Sequence, residues 1–504
     1  MTSGDDAPVA IKNSAPAASA VAADEDETSA ADLVLPLVAV GAAGVVAGYG
    51  YIRRVRRTRD RTTPGGVGSP PPPKSSPPLA ARDEQSRAAL VEADNRIRAA
   101  HTELGFAETL FGAEAVAGFH RALHEAESEL AAALRMRQRY DEGVPAEEAA
   151  RGHALAGIVG RCEEAGRRLD SVAGAFGQLR GLERGTGEAV GVAEGRFREL
   201  TGRAGASEAV LAGLRTRYAP TATASVTGNV EQAKDRLVFA TVRLNQARQA
   251  ADSGQPERAA RHLRAAEGAV AQAAVFVEGV DRLAAELRAA ELTIPAALTG
   301  AEAELSWVRE GRREGEPEGE GARAVPGPAG PAPGELHARL SHADAVLDSV
   351  RQELTGSQPY DPVGVLRRIL RATAPVASGR AGVLPAAALI TARSATAAAA
   401  DFVATHRGAV GATARTRLAE AQRLLATGDP ADRPPADTLA LAARELAELD
   451  VRAHGNPYVG AAGTAGTGGA VLGGIVPAED PEDGTPAGFA GPGGRAVGPA
   501  PAHG

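Results

Sequence analysis

Residues 230–287 carry the pattern that decides the fold: VEQAKDRLVFATVRLNQARQAADSGQPERAARHLRAAEGAVAQAAVFVEGVDRLAAEL. Apolar residues recur at alternating steps of three and four on both sides of the polar segment at 252–256. They are Val230, Ala233, Leu237, Ala240, Leu244, Ala247 and Ala251 before it, and Ala259, Leu263, Ala266, Val270, Ala273, Val277, Val280, Ala284 and Leu287 after it. Such steps place an apolar seam along one side of a helix, and Gly254 followed by Pro256 suits a helix end and a new start. The pattern predicts an antiparallel hairpin of two helices whose seams face each other.

Helical periodicity also dominates on both sides of this hairpin. Further helices are predicted over 83–104, 113–141, 145–183, a run ending at Tyr218, 335–355, 362–374, 385–407, 413–427 and 435–453. Aromatic residues make up only 3% of the chain, so close packing through alanine is favoured over a thick core of large side chains. We therefore expect an all-α protein built from long antiparallel helical hairpins in a coiled-coil-like bundle.

An uncharged stretch near the amino terminus predicts a single transmembrane helix. Residues 33–52 read LVLPLVAVGAAGVVAGYGYI, and a helix of this length spans about 30 Å, the thickness of the hydrocarbon core of a bilayer. A buried core helix is the alternative interpretation of such a sequence. The transmembrane interpretation is favoured because six arginines follow at once: Arg53, Arg54, Arg56, Arg57, Arg59 and Arg61.

The charges that flank this stretch predict its orientation. The first 32 residues are acidic and the following flank is basic, so the positive-inside rule places the amino terminus outside and the rest of the chain in the cytoplasm. The acidic start also lacks the basic region of a secretory signal peptide, so we expect an uncleaved anchor. The arginines either fix this topology alone or also contact anionic lipid headgroups.

Composition divides the chain into seven segments. We expect a disordered acidic tail at 1–32, the anchor at 33–52, a basic and Pro/Gly linker at 53–78, a helical domain at 79–310, a Pro/Gly/Glu linker at 311–334, a second helical segment at 335–455, and a disordered Gly/Ala/Pro-rich tail at 456–504.

Residues able to perform chemistry are few and do not form a recognisable motif. His120 and His124 lie four apart beside Glu125, but the zincin pattern places Glu directly after the first His, where Arg121 stands. His337 and His342 are five apart and share a helical face poorly, and Cys162 is expected to be a structural thiol. We therefore predict no enzyme, no cofactor and no metal site. The net charge of −8 argues against nucleic-acid binding by the whole chain.

Four local strings carry a resemblance to a known family. They are EQAKDRLVFAT at 231–241, TARSATAAAADFVATHRGAVG at 391–411, ARTRLAEAQRLL at 414–425 and DVRAHGNPY at 450–458. With the basic-flanked anchor and the Gly-rich tail, they resemble the carboxyl-terminal portion of actinobacterial TPM-domain membrane proteins, over about residues 33–476. In that family a TPM domain lies between a signal peptide and the anchor, whereas only 32 residues precede the anchor here. We expect this chain to correspond to the cytoplasmic half of such a protein, either as a natural variant or through a misplaced start codon.

Two hypotheses of function follow. The first is a single-pass membrane protein whose helical region acts as a scaffold, binding other proteins or pairing with itself. The alternative is a truncated TPM-family protein whose activity, which the resemblance implies to be phosphatase activity in some distant relatives, resides in a domain missing from this chain. No small-molecule substrate is indicated by either.

Overall fold

The computed structural model describes residues 77–182, 184–315, 333–376 and 382–454, together with Phe489. Throughout this part of the chain the secondary structure is helical and no strand occurs, which confirms the predicted all-α class. The predicted anchor at 33–52, the six arginines that follow it, and nearly all of the two tails lie outside the described residues.

Eleven long helices make up the described residues. They are α1 (Leu79–Phe111), α2 (Ala113–Asp141), α3 (Glu148–Arg180), α4 (Gly187–Arg217), α5 (Asn229–Asp252), α6 (Pro256–Gly315), α7 (Pro333–Thr355), α8 (Pro362–Thr373), α9 (Val383–Thr405), α10 (Ala412–Thr427) and α11 (Arg433–Ala453). Two of the connections contain short helical turns: Pro220–Thr223 and Ala224–Val226 between α4 and α5, and Pro430–Asp432 between α10 and α11.

The hairpin predicted at residues 230–287 is formed by α5 and α6, which pack along each other. Every predicted seam residue is buried except Ala251, which is exposed, while its neighbour Ala250 is buried instead. The prediction fails there because α5 ends at Asp252, where the chain begins to turn away from the seam. Gly254 takes a φ of 68°, which is the left-handed backbone conformation that glycine favours. The amide of Gln255 donates to the carbonyl oxygen of Ala250 at 2.8 Å and closes the turn.

Helix α6 is the long central element of the fold. It contains 60 residues and continues through Pro295 and past Gly311, where composition predicted a linker to begin. Its amino-terminal half packs with α4 and α5 around Leu237, Leu263 and Val270. Its carboxyl-terminal half contributes to a second apolar cluster with α7, α8 and the start of α9.

The first three helices form a separate apolar cluster, and α10 packs against it. Helices α1, α2 and α3 bury leucines and alanines along their shared faces, and α10 packs on α1 and α2. Phe489 also belongs to this cluster, because its ring lies 4.3 Å from that of Phe176 and 6.2 Å from that of Phe119, measured between centroids. Helices that lie far apart in the chain are therefore in direct contact.

Among the described residues, α9 is the helix that is long and apolar enough to cross a membrane by length and composition. Half of its apolar window is buried inside the helical body, and the core helix of a soluble protein passes the same test. Helix α9 is distinct from the predicted anchor at 33–52.

Candidate interaction surface

The carboxyl-terminal half of α6 presents an exposed face that carries no charge. Between residues 292 and 307 its exposed residues are Leu292, Pro295, Ala296, Thr299, Ala303, Ser306 and Trp307. Leu292, Ala296, Thr299, Ala303 and Trp307 follow one another at steps of four, three, four and four, so they form a single stripe along the helix. Charged residues make up 23% of the whole chain, but none occurs at these seven exposed positions. We call these five residues the α6 stripe.

The two largest side chains of the α6 stripe lie at its ends. Leu292 is 82% exposed and Trp307 is 40% exposed, whereas the middle positions are occupied by alanine and threonine. An exposed leucine alone is ordinary on a protein surface. A continuous uncharged stripe that ends in leucine and tryptophan is instead typical of a protein-interaction site.

The opposite face of α6 fixes the orientation of the α6 stripe. Ile294, Ala297, Ala301 and Leu305 are almost fully buried in the cluster shared with α7 and α8. Because this face is packed, the helix cannot rotate to hide Leu292 without opening its own core.

The acidic side chains near the α6 stripe are directed to other helices. The carboxylate of Glu291 accepts hydrogen bonds from Arg217 at 2.7 Å and from the Tyr218 hydroxyl at 2.8 Å. Glu302 pairs with Arg351 on α7 at 2.6 Å. These interactions keep both carboxylates off the stripe and leave it uncharged.

A second feature is a polar cavity of about 170 Å³ between α5, α6, α9 and α11. Arg282 forms an ion pair with Asp401 across it, and the Ser394 hydroxyl donates to Glu286 at 2.8 Å. On its far wall, the ring of Phe402 lies between the guanidinium of Arg444, 4.0 Å from the ring centroid, and the imidazole of His406, 4.2 Å away.

Burial controls protonation in this cavity. It raises the pKa of Glu286, although Arg282 and the Ser394 hydroxyl partly offset the effect. Burial also lowers the pKa of His406 to about 4, so this imidazole is neutral at physiological pH. Its Nδ1 lies 3.1 Å from the carbonyl oxygen of Phe402 and 3.0 Å from the Thr405 hydroxyl, within its own helix end. The paired polar groups join α6 to α9, and the Arg444 guanidinium brings α11 onto the Phe402 ring of α9. His406 is held by its own helix rather than beside the Ser394 hydroxyl.

The sequence-predicted candidates for chemistry are dispersed. His120 lies 3.2 Å from Glu108, whereas His124 lies 3.7 Å from Glu127 and is largely exposed. Across the helices that the structure describes, no three His, Cys, Asp or Glu side chains are grouped as metal ligands would be. His337 and His342 are exposed on α7.

Cys162 lies on α3 and is buried in the apolar cluster of α1, α2 and α3. Burial, with the nearby carboxylates of Glu163 and Glu92, raises the pKa of its thiol to about 12, so it is protonated and unreactive at neutral pH. The lipid-facing candidates Arg53, Arg54, Arg56, Arg57, Arg59 and Arg61 all lie outside the described residues.

Two curated proteins of Mycobacterium tuberculosis match this chain over most of its length. Each is described as a UPF0603 protein, and each is 30% identical over 432 residues, which is 82% of this chain and 64% of the relative. This chain is similar to UPF0603 proteins of mycobacteria. The matched part of this chain spans about 64% of the length of these curated relatives. No family model matches the chain, so the predicted relation to TPM-domain proteins stays a prediction. No solved structure matches it either.

Proposed function

We propose that this chain is a non-enzymatic membrane-anchored scaffold, whose helical region binds proteins through exposed helical faces. The observation that carries the proposal is the α6 stripe, a charge-free face on a helix whose opposite side is locked in the core. Helix-in-groove and helix-on-helix recognition use such faces, because apolar side chains at these spacings can be buried together by a partner.

The membrane part of the proposal is supported by sequence alone. The uncharged stretch at 33–52 and the arginines that follow it favour a single span with the helical region on the cytoplasmic side. Carbonate extraction of membranes tests the anchor, since an integral protein stays in the pellet. A reporter fused after Arg61 tests the orientation, and activity only outside the cytoplasm contradicts it.

Site-specific photocrosslinking in cells tests the interaction. A photoreactive residue at Ala296, in the middle of the α6 stripe, is expected to yield one discrete protein adduct in membranes. The matched control is the same residue at Arg261, which is exposed near the start of α6 and away from the stripe. Absence of an adduct at Ala296, or equal adducts at both positions, contradicts the proposal.

A second candidate function is favoured by the extent of the match to the mycobacterial proteins. Because this chain accounts for about 64% of their length, an activity of the whole protein can reside in the remainder. The candidate is a TPM-family protein whose catalytic domain lies outside this chain. An in-frame TPM domain in the genomic sequence upstream of Met1 supports it, and its absence there contradicts it.

A further inference from the structure

We propose that the partner of the α6 stripe is the same stripe of a second copy of this chain, packed antiparallel across a two-fold axis at Thr299 and Gly300. The inference rests on the proposed function, because it takes the stripe to be an interaction surface. It adds the identity of the partner and the register of the contact.

The side-chain sizes in the α6 stripe are nearly symmetric about residues 299 and 300, with a large residue at each end and small residues between them. In an antiparallel pair centred between residues 299 and 300, Leu292 of one copy faces Trp307 of the other, and Ala296 faces Ala303. An isologous interface requires this reciprocity, in which residue i contacts residue j and residue j contacts residue i. Any two-fold antiparallel pair has this reciprocity, and this register is the one that places alanine against alanine and leucine against tryptophan.

The sizes of the side chains suit close packing of two such helices. Small residues occupy the centre at Ala296, Thr299 and Ala303, where two crossing helices approach most closely. Leucine and tryptophan occupy the two ends, where the helices diverge and larger side chains fill the wider gap. The most exposed residue of the stripe, Leu292 at 82%, is thereby buried against an aromatic ring.

Charges at the ends of the stripe select the antiparallel arrangement. Arg288 and Glu310 are both exposed, one helical turn before Leu292 and about one turn after Trp307. The antiparallel pair brings Arg288 of each copy beside Glu310 of the other, which makes two attractive contacts. A parallel pair instead places Arg288 against Arg288 and Glu310 against Glu310, which is repulsive at both ends.

The size of the surface predicts a weak dimer that the membrane strengthens. A single pair of crossing helices is a small contact compared with the roughly 1,200–2,000 Å² of standard stable interfaces, so the detergent-solubilised chain is expected to dimerise only weakly. Anchoring both copies in one bilayer raises their effective concentration, so the dimer is expected to be more populated in membranes than in detergent.

Disulfide crosslinking of the full chain in native membrane vesicles tests the register. Thr299→Cys, beside the axis, is expected to form a homodimer under mild oxidation. A mixture of Ala296→Cys and Ala303→Cys chains is expected to crosslink to each other more than either does to itself. Arg261→Cys, on the same helix, is the matched control and is expected to stay monomeric. The native Cys162 is buried and does not compete.

The outcomes separate this inference from the proposed function. Self-crosslinking of Ala296→Cys without the mixed product indicates a parallel pair and overturns the inference. No disulfide at Thr299→Cys, together with a photoadduct at Ala296 that contains a different protein, overturns the inference and leaves the proposed function intact. No disulfide and no photoadduct overturns both. As a second measurement, Leu292→Glu is expected to lower the dimer fraction at least tenfold by sedimentation, with unchanged helical circular dichroism.

Discussion

The guanidinium group of Arg415 on α10 donates a hydrogen bond to the carboxylate of Asp94 on α1, 321 positions earlier in the chain. Both side chains are nearly buried, and the same carboxylate accepts from Nε of Arg98 at 3.0 Å. Arg415 also donates to the carbonyl oxygen of Val410 at 3.1 Å. This pair joins the first described helix to the second-last one, so a helix near each end of the body depends on the other.

Removing the carboxylate of this pair is expected to destabilise the protein strongly. Asp94→Ala leaves the buried guanidinium of Arg415 without its carboxylate, and breaking such a pair typically costs about 3–5 kcal/mol. Denaturant unfolding of the full chain measures the loss. Asp348→Asn is the matched control, because that carboxylate is exposed in its pair with Arg351, and little change is expected. A loss for Asp94→Ala no larger than that of the control contradicts the role assigned to the pair.

The Asp94 pair also predicts a loss of stability in acid. Burial acts to raise the pKa of Asp94, but the charges and hydrogen bonds of Arg98 and Arg415 outweigh it and hold that pKa below its usual value. A carboxyl group whose pKa is lowered by folding contributes stability that is present above its unfolded pKa, about 4, and is lost as the pH falls through the folded pKa. Unfolding midpoints between pH 7 and pH 2 are expected to fall for the wild type, and Asp94→Asn is expected to lack this part of the fall. Parallel pH profiles of the two proteins contradict the prediction.

Glu286, in the polar cavity, predicts the opposite dependence of stability on pH. Because burial raises its pKa, the charged carboxylate is a net cost to the folded state above that pKa, and the cost disappears as the pH falls below the unfolded value. Glu286→Gln keeps an acceptor for the Ser394 hydroxyl and removes the charge. We expect the variant to melt at a higher temperature than wild type at pH 7.5, with the difference shrinking toward pH 4. A lower melting temperature at pH 7.5 would show that the Arg282 charge outweighs burial.

Cys162 is expected to resist alkylation in the folded protein. Its thiol is buried and its pKa is raised to about 12, so the reactive thiolate is scarce at pH 8. Mass spectrometry after treatment with iodoacetamide is expected to show unmodified protein under native conditions and a single modification in guanidinium chloride. Rapid modification of the folded chain contradicts the burial of this residue.

Phe489 is expected to stabilise the packing of α2 against α3. Its ring is 3% exposed and contacts Phe119 and Phe176, and burying such a side chain is worth about 1.5–3 kcal/mol. Phe489→Ala is therefore expected to raise amide exchange in α2 and α3. Val497→Ala, a change of apolar volume in the same tail, is the control. Unchanged exchange in α2 and α3 for Phe489→Ala rules out this contact in solution.

The helices could be predicted from the sequence because each one carries its own signal. Apolar steps of three and four identified the α5–α6 hairpin, and its buried seam continues beyond Leu287 through Ala290, Ile294, Ala297, Ala301 and Leu305. Following that seam to its end would have identified the opposite face, and with it the α6 stripe. The stripe could therefore have been predicted from the sequence, but the predicted seam ended at Leu287, before the stripe begins.

The long-range pairs carry no comparable signal. Asp94 and Arg415 each occur in ordinary helical surroundings, and many other acidic and basic residues offer the same chemistry. Which charge is buried depends on how helices far apart in the chain pack, and local periodicity does not encode that. The contact of Phe489 with Phe119 and Phe176 was missed for the same reason, since a lone phenylalanine in a Gly/Pro-rich tail gives no period.

The unbroken run of α6 from Pro256 to Gly315 also sets a spacing. At about 1.5 Å per residue, its hairpin end lies about 65 Å along the helix from the centre at Thr299 and Gly300. Two copies joined at that centre would hold their hairpin tips about 130 Å apart, measured along the two helices. The length of the helix would then determine the distance between any proteins bound at the two tips.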